Sequence, residues 1–374
     1  MKIALSSGGR FHSIEIAKQL NRLKVDFTLY SGTAIPKEIP HDKVHSYRVI
    51  PLISTALRQI AFSERARRKI TSLSDDIFDK AVASRISQDI DIFHGFSVYS
   101  LYTMRKLKKK SIAKIIIDRG SAPAQEYNAI VQAEYNRLGK HYYWPDQTSI
   151  KKQDSEYSEA DFILSPSSYV TDSLIKHKLS YREKIFSLPY GAPQVVKKEP
   201  KPEKFRVLFI GGTGIAKGLH YLIDAFSKLN CKNAELLVIG KIESDFPMKK
   251  VNNVKFVRKL VGSALEEAFL SSSVLVLPSL SDGWGMVVTE AMAHGLPVIV
   301  SENSGVKDII AQDKNGFIVP IKNSESIQEK LQFLCDNPSK ARQMGKNAKL
   351  TAAKNSWNKY GEELVKIYEK RLEI

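Results

Sequence analysis

The feature that most constrains this chain is a repeated alternation. Short runs of β-branched and aliphatic residues, each stopped by glycine, proline or serine, are separated by amphipathic stretches of helical period. Runs so short and so continuously apolar are buried on both faces, the condition of parallel strands covered by helices. In the first half they fall at Lys2–Ser7, Asp26–Tyr30, Asp91–Phe96, Lys114–Asp118, Phe162–Pro166 and Ile185–Pro189. In the second half they fall at Phe205–Gly211, Glu235–Gly240, Val254–Val257, Val274–Pro278, Pro297–Ser301 and Gly316–Pro320. The class is α/β, and each half forms its own doubly wound sheet.

At 374 residues, 43% of them hydrophobic, the chain is too long for one ordinary core and has enough apolar side chains for two. The three prolines of Ala192-Pro193-Gln194-Val195-Val196-Lys197-Lys198-Glu199-Pro200-Lys201-Pro202-Glu203 suit an extended connector. The expected division is a first domain over 1–191, a linker over 192–203 and a second domain over 204–354. In the remainder, 355–374, Trp357, Tyr360, Leu364, Ile367, Tyr368 and Leu372 recur at helical spacing, so a helix with one wet face should pack back on the first domain.

Lys and Arg number 57 against 40 Asp and Glu, a formal charge of +17 that favours anionic partners without naming them. The two cysteines, Cys231 and Cys335, stand 104 positions apart with no Cys or His at ligand spacing nearby. They read as free thiols of a reducing compartment, with neither a disulfide nor a zinc site. Met1 to Gly9 is too short an apolar run for a secretory leader and reads as a buried strand. No ~18-residue apolar stretch occurs, so membrane contact is expected to be peripheral.

The most informative string runs from Leu277 to Val298: Leu277-Pro278-Ser279-Leu280-Ser281-Asp282-Gly283-Trp284-Gly285-Met286-Val287-Val288-Thr289-Glu290, then a helical stretch to Gly295-Leu296-Pro297. A strand ends at Pro278, a glycine turn follows, and a helix start offers free amides to an anion. Asp282 in the turn and Glu290 within the helix can face one elongated ligand, and carboxylates accept hydrogen bonds from vicinal hydroxyls. For these two residues alone, a dipole-favoured acid plus a surface glutamate is an equally open reading.

The surrounding string resembles the acid-x7-Glu signature of retaining, nucleotide-sugar-dependent glycosyltransferases of family 4, which have the GT-B fold. The resemblance extends to Phe209-Ile210-Gly211-Gly212-Thr213-Gly214-Ile215-Ala216-Lys217-Gly218, similar to the family's first donor-domain strand and lysine-glycine helix start. It also takes in Glu156 to Asp161, Ser165 to Ser168, and Pro189-Tyr190-Gly191. It implies two Rossmann-like doubly wound parallel-sheet domains facing a cleft, and transfer of a sugar from a nucleoside-diphosphate sugar to an acceptor hydroxyl with retention. No metal or other cofactor is implied, the nucleotide sugar being a substrate. Lys217, Asp282 and Arg119 are the implied catalytic residues. Donor binding is implied for Gly8, Gly9, Gly211, Gly212, Lys217, Asp282, Gly283, Trp284, Gly285, Met286 and Glu290. Two departures matter. Asp282 stands where many members have glutamate, and Gly212 where many have an arginine, which leaves Lys217 with more of the departing diphosphate's charge. Arg119, in Ile117-Asp118-Arg119-Gly120-Ser121, follows a strand where relatives often carry histidine; a structural arginine paired with Asp118 or another acid is the competing reading.

The loop Ser6-Ser7-Gly8-Gly9-Arg10-Phe11-His12 follows the first strand and opens a helix. Paired glycines also make plain turns, but family resemblance places this loop beside the donor phosphates and acceptor. His94 reads as a satisfied core histidine. His41 and His45 lack the Glu of a metal-binding helix motif. Arg65, Arg67, Arg68 and Lys69, and Arg105, Lys106, Lys108, Lys109 and Lys110, read either as solvated helix faces or, as in many family 4 enzymes, as a dock on anionic membrane near a lipid-linked acceptor. The expectation is a cytoplasmic enzyme, peripheral at the inner membrane face, acting in cell-surface polysaccharide or glycolipid synthesis. A nucleotide-sugar hydrolase or epimerase of the same fold is the alternative. A basic nucleic-acid-binding protein is a weaker one, since the cationic clusters lack interleaved aromatics and no nucleic-acid partner is implied.

Overall fold

The computed structural model describes residues 1–372 apart from 10, 145–146 and 244–245. In the first half the strands are β1 (Lys2–Ser7), β2 (Asp26–Ser31), β3 (Val44–Ser46), β4 (Ile92–Phe96), β5 (Lys114–Asp118), β6 (Phe162–Ser165) and β7 (Ile185–Ser187). Helices α1 (Ser13–Arg22), α2 (Val49–Ile60), α3 (Glu64–Arg85), α4 (Leu101–Lys110), α5 (Ala124–Arg137), α6 (Gln147–Glu159) and α7 (Ser168–His177) connect them. The second half has β8 (Arg206–Ile210), β9 (Glu235–Ile239), β10 (Val254–Val257), β11 (Val274–Leu277), β12 (Val298–Ser301) and β13 (Gly316–Val319). Its helices are α8 (Leu219–Ser227), α9 (Ser263–Leu270), α10 (Met286–Ala293), α11 (Ser324–Asp336), α12 (Pro338–Lys354) and α13 (Trp357–Leu372).

Two separate sheets result, ordered β3-β2-β1-β4-β5-β6-β7 and β10-β9-β8-β11-β12-β13. Every neighbouring pair is parallel, with Ile3 of β1 opposite both Phe27 and Ile92. Each sheet reverses its winding once, beside β1 and beside β8, so loops leaving the carboxyl ends of β1 and β4, and of β8 and β11, part in opposite directions. Buried Ile3, Leu5, Ile92 and Ile116 in one sheet and Val207, Leu236, Val276 and Val298 in the other show why the apolar runs are continuous. Capping fixes several helix starts: Ser63, Ser167 and Asn323 accept the amides of Ala66, Val170 and Ser326.

Residues 192–203 lack helix, but they are tied down. The Val196 amide donates to the Ala293 carbonyl at 3.1 Å and the Lys201 amide to the Leu270 carbonyl at 2.8 Å. The α13 helix returns to the first sheet's side, where Gly361 lies against Gln19 of α1 and Arg22 donates to the Asn358 carbonyl. Positions 373–374 of the expected terminal helix, and Arg10 of the first glycine loop, lie outside the described residues. Several strands stop a residue or two before the expected end, at the prolines 166, 189, 278 and 320, because proline has no amide for the ladder. The three-residue edge strand β3 was not foreseen, being too short to show a period; it carries His45, whose ring stacks on Tyr30.

The expectation of two free thiols is overturned: Cys231 and Cys335 form a disulfide. Their distance along the chain misled, because α8 and α11 pack side by side and bring the turn after α8 against the last turn of α11. Asn230 and Gln332 exchange two hydrogen bonds beside the bridge. In the chain-entropy account, closing a loop of about 100 residues is worth on the order of 4–5 kcal/mol. Cys231→Ser/Cys335→Ser should therefore melt several degrees lower than wild type without reductant. Reductant should reproduce that drop in the wild type and leave the variant unmoved; a wild-type melt indifferent to reductant would overturn the bridge's contribution.

Candidate active site

A cleft of about 860 Å³ lies where the carboxyl ends of both sheets meet. Its walls are the residues that follow strands. Phe11 and His12 come after β1, Ser97 and Val98 after β4, Arg119, Gly120 and Ser121 after β5, and Gly211 after β8. The turn after β11 supplies Asp282, Trp284 and Gly285, and the first turns of α10 supply Met286, Val287 and Glu290. These are the winding reversals at which open parallel sheets bind ligands.

The centre of the second-domain wall is one ion pair. Lys217 Nζ donates to Asp282 Oδ2 at 2.6 Å, with the lysine side chain 38% exposed and the aspartate 14%. Two loops are bolted together to produce it. Lys217 ends the helical turn Ile215–Lys217, and Gly218 follows at φ 68° with its α-carbon packed so closely on the Pro278 carbonyl that no side chain fits. The Leu280 amide then donates to the Ala216 carbonyl at 2.8 Å. Asp282 is fixed in turn by its own amide, donated to the Asn303 carbonyl at 3.0 Å, while the Trp284 amide reaches its Oδ1 at 3.4 Å. Gly285, at φ 80°, caps α10 in a conformation that β-carbons resist, and turns the helix so that Glu290 lines the cleft. Burial raises the Glu290 carboxyl above its ordinary range.

The first-domain wall is built on a buried carboxylate. Burial alone would raise the pKa of Asp118, but His12 and His94 outweigh it and hold the carboxyl below the usual range. His12 Nε2 donates to Asp118 Oδ2 at 2.8 Å and the Tyr190 hydroxyl to Oδ1 at 3.0 Å. His94 is fully buried, bonded through Nδ1 to the Tyr368 hydroxyl of α13 at 2.5 Å, and does not line the cleft. Arg119 donates to the Ala122 carbonyl at 2.5 Å and lies over the Tyr157 ring. Among the described residues no carboxylate pairs with it, so the competing reading of a structural salt bridge is not realised; Asp118 is taken by His12 and Tyr190 instead.

The domains touch through polar contacts. Ser167 donates to the Gly283 carbonyl at 2.8 Å and Tyr169 to Ser281 Oγ at 2.6 Å, while Gly283 packs directly on Gly120. Glu134 of α5 reaches furthest: buried, it accepts from His220 Nε2 at 3.0 Å and the Tyr221 hydroxyl at 2.8 Å, both on α8, and from Arg137 at 2.6 Å on its own helix. Lys322 stands 3.4 Å from its second oxygen.

Residues 193–351 match the model of the family described as Glycosyl transferases group 1. That match falls on the second domain, which is similar to this family. An uncharacterized glycosyltransferase of Methanocaldococcus jannaschii is 31% identical over 177 residues, 45% of this chain and 45% of that protein. The chain thus spans about half the length of this relative. Over the whole chain the likeness is one of fold. Sucrose-phosphate synthase from Thermosynechococcus elongatus superposes with TM-score 0.75 at 18% identity, covering 99% of this chain and 98% of that one. Anabaena HepE in complex with UDP superposes with TM-score 0.70 at 14% identity, covering 99% and 100%. The fold is GT-B.

Within the second domain, Gly211, Lys217, Asp282, Trp284, Gly285, Met286 and Glu290 are brought together on the cleft, and Arg119 faces them from the first domain. Gly8, Gly9, Gly212 and Gly283 are not among the lining residues: Gly8 and Gly9 pack on Tyr99 and Phe11, and Gly283 is spent on the domain contact. The basic clusters are partly engaged, Arg67 and Arg68 with Glu64 and Arg105 with Glu159. His12 was read only as part of its loop, and Tyr190 and Trp357, which also line the cleft, only as family context and helix period. The histidine following a glycine loop and the aspartate ending β5 were the available signal for the pair, but nothing local says they meet across 106 positions.

Val98 is the conformational outlier of the cleft, a β-branched residue at φ 78°. Its amide donates to Glu156 Oε2 at 2.6 Å and the Ser100 amide to Oε1 at 3.0 Å, so one buried carboxylate holds the whole turn after β4. Burial pushes the Glu156 carboxyl up to about 7, against the pull of those amides and of Lys152. A carboxyl with its folded pKa above its unfolded one adds stability that is complete below the ordinary glutamate range and is lost as pH rises through about 7. Melting temperature should accordingly fall as pH is raised from about 5 to about 8, and Glu156→Gln should flatten that slope. A slope unchanged in the variant would remove Glu156 as its cause.

Proposed function

We propose that the chain transfers a glycosyl group from a nucleoside-diphosphate sugar to an acceptor hydroxyl, with retention and without a metal ion. The observation that carries this reading is the Lys217–Asp282 pair at 2.6 Å, set in one cleft with Glu290 and facing Arg119. The UDP complex of the fold neighbour HepE supports a nucleotide donor. Retention rests on the resemblance of the Asp282-to-Glu290 string to family 4.

The chemistry follows from charge. When the bond between the anomeric carbon and phosphate breaks, negative charge grows on the departing diphosphate. Lys217 is the cation beside that position, and with no arginine at Gly212 it carries the neutralisation that a second cation would share. It does more for the transition state than for the bound donor, because the charge is larger there. Asp282, released from Lys217 as the diphosphate takes its place, accepts from the sugar's hydroxyls. Glu290 accepts from the ribose. Arg119, unpaired by any carboxylate among the described residues, is the first-domain cation that meets the leaving group when the cleft is filled.

Lys217→Ala should lower kcat by about 10²–10³-fold, the usual effect of deleting one group that stabilises developing negative charge, with the melt unchanged. Undiminished turnover would sink the assignment. The hydrolase or epimerase alternative is separated by following donor consumption with and without an acceptor, since a transferase turns over fast only with one. The configuration of the new anomeric centre, read by NMR, tests retention.

An acceptor held at a membrane surface is the second part of the proposal, in keeping with a place in polysaccharide or glycolipid synthesis at the inner face of a cell membrane. Among the described residues no helix is long and apolar enough to cross a membrane. The α2 helix, however, turns its apolar residues outward: Leu52 is 62% exposed and Ile60 70%, with Val49, Ile53, Leu57 and Phe62 also exposed. Arg58 on α2 and Arg65 and Lys69 on the following α3 are exposed as well. An apolar ridge with exposed cations on the same helix and the next fits the boundary between acyl chains and anionic headgroups. The protein should co-sediment with vesicles of phosphatidylcholine containing phosphatidylglycerol and far less with phosphatidylcholine alone. Leu52→Asp/Ile53→Asp should abolish the difference; retention of full binding would refute α2 as the contact.

A further inference from the structure

A second cavity, of about 460 Å³, lies at the opposite end of the second sheet from the cleft. It sits among the chain segments entering the strands: Phe205 precedes β8, Ser272 and Ser273 precede β11, and Pro297 precedes β12. Its volume is within the ~300–1,000 Å³ range of small-molecule sites. None of its lining residues belongs to the cleft.

Its charge is one-sided. Arg342, Lys346 and Lys349 line it from α12, and Lys201 lines it from the linker opposite. Positions 342, 346 and 349 follow steps of four and three, so the three cations share one helical face. Like-charged neighbours at these steps repel one another along the helix, so a bound anion would relieve them. Among the described residues none of these four cations pairs with a carboxylate; Arg342 reaches the Ser339 hydroxyl and Lys349 the Lys198 carbonyl. The one acid on the lining is Glu199. The lining also has an apolar part, with buried Leu296 and Leu334 and half-buried Phe205.

We propose that this cavity is a binding site for a small organic phosphate, with the phosphate held by Arg342, Lys346, Lys349 and Lys201 and the carbon body against the apolar part of the lining. A phosphate carries close to two negative charges and accepts from an Arg fork and from ammonium groups together. A carbon body there covers apolar surface that a bare ion leaves wet. Because Lys201 belongs to the linker, the ligand bridges the linker and α12. Its occupancy therefore protects the Lys201 amide, which already donates to Leu270.

The test is calorimetric titration of the full chain with adenosine 5′-monophosphate, glucose 6-phosphate and inorganic phosphate, read beside hydrogen exchange at Lys201. At least one organic phosphate should bind wild type and Lys217→Ala with similar affinity, slow Lys201 exchange in both, and bind Arg342→Glu/Lys346→Glu about tenfold or more weakly. Lys346→Gln, the milder change, should weaken binding in the same direction if the double variant folds poorly. The proposal fails if neither organic phosphate binds at millimolar concentration, if inorganic phosphate binds as tightly as both, or if the charge changes on α12 leave affinity unaltered. Lys217→Ala keeps this result independent of the cleft's own function.

Discussion

Everything the cleft can do depends on a cation and an acid being held at hydrogen-bond distance by loops that leave different strands. The Lys217–Asp282 pair adds little to stability, because partly exposed ion pairs contribute about 0–1 kcal/mol. Its worth is positional. The backbone that fixes it is over-determined: Gly218 wedged on Pro278, Leu280 bonded to Ala216, and Asp282 bonded to Asn303. Such a frame holds both groups in place through the backbone, independently of the ion pair itself.

The two walls are electrostatically unlike. On the second domain the acid is partly exposed, answered by one lysine, and open to exchange of partners. On the first domain Asp118 is fully buried and locked by His12 and Tyr190, so it serves as a foundation for the ring cluster in which His12 packs tilted on Tyr190 and Tyr190 stacks on Trp357. The turn after β4 is held in the same manner by Glu156, at the cost of placing Val98 in a backbone conformation that its side chain disfavours. The second-domain wall thus has an ion pair that water reaches, and the first-domain wall facing it has a buried, fully partnered acid.

The double sheet was legible because continuous apolar runs leave few alternatives once each is stopped by proline or glycine. The second-domain site was legible for a related reason: Asp282, Gly285 and Glu290 lie within one turn-and-helix unit, and Lys217 sits in a glycine-framed helix start, so local spacing carries the information. What escaped was non-local. His12 and Asp118 meet only once β4 is set between β1 and β5, Glu134 finds His220 only when the domains are joined, and the Cys231–Cys335 bridge depends on two helices packing side by side. At Gly8 and Gly9 the missing side chains make room for Tyr99 and Phe11, a packing reason that paired glycines in the sequence do not reveal. The outward apolar face of α2 was hidden too, since hydrophobicity at helical period does not say which way the helix turns.

Glu134 has one more implication. Of its four partners, His220, Tyr221 and Lys322 ride on the second domain, while Arg137 travels on the same helix as Glu134 itself. Swinging the lobes apart strips away three contacts yet never leaves the anion bare, because its private guanidinium goes with it. A separation of the lobes would therefore strand no lone charge in a dry place, and the same three partners would be there to re-form the joint.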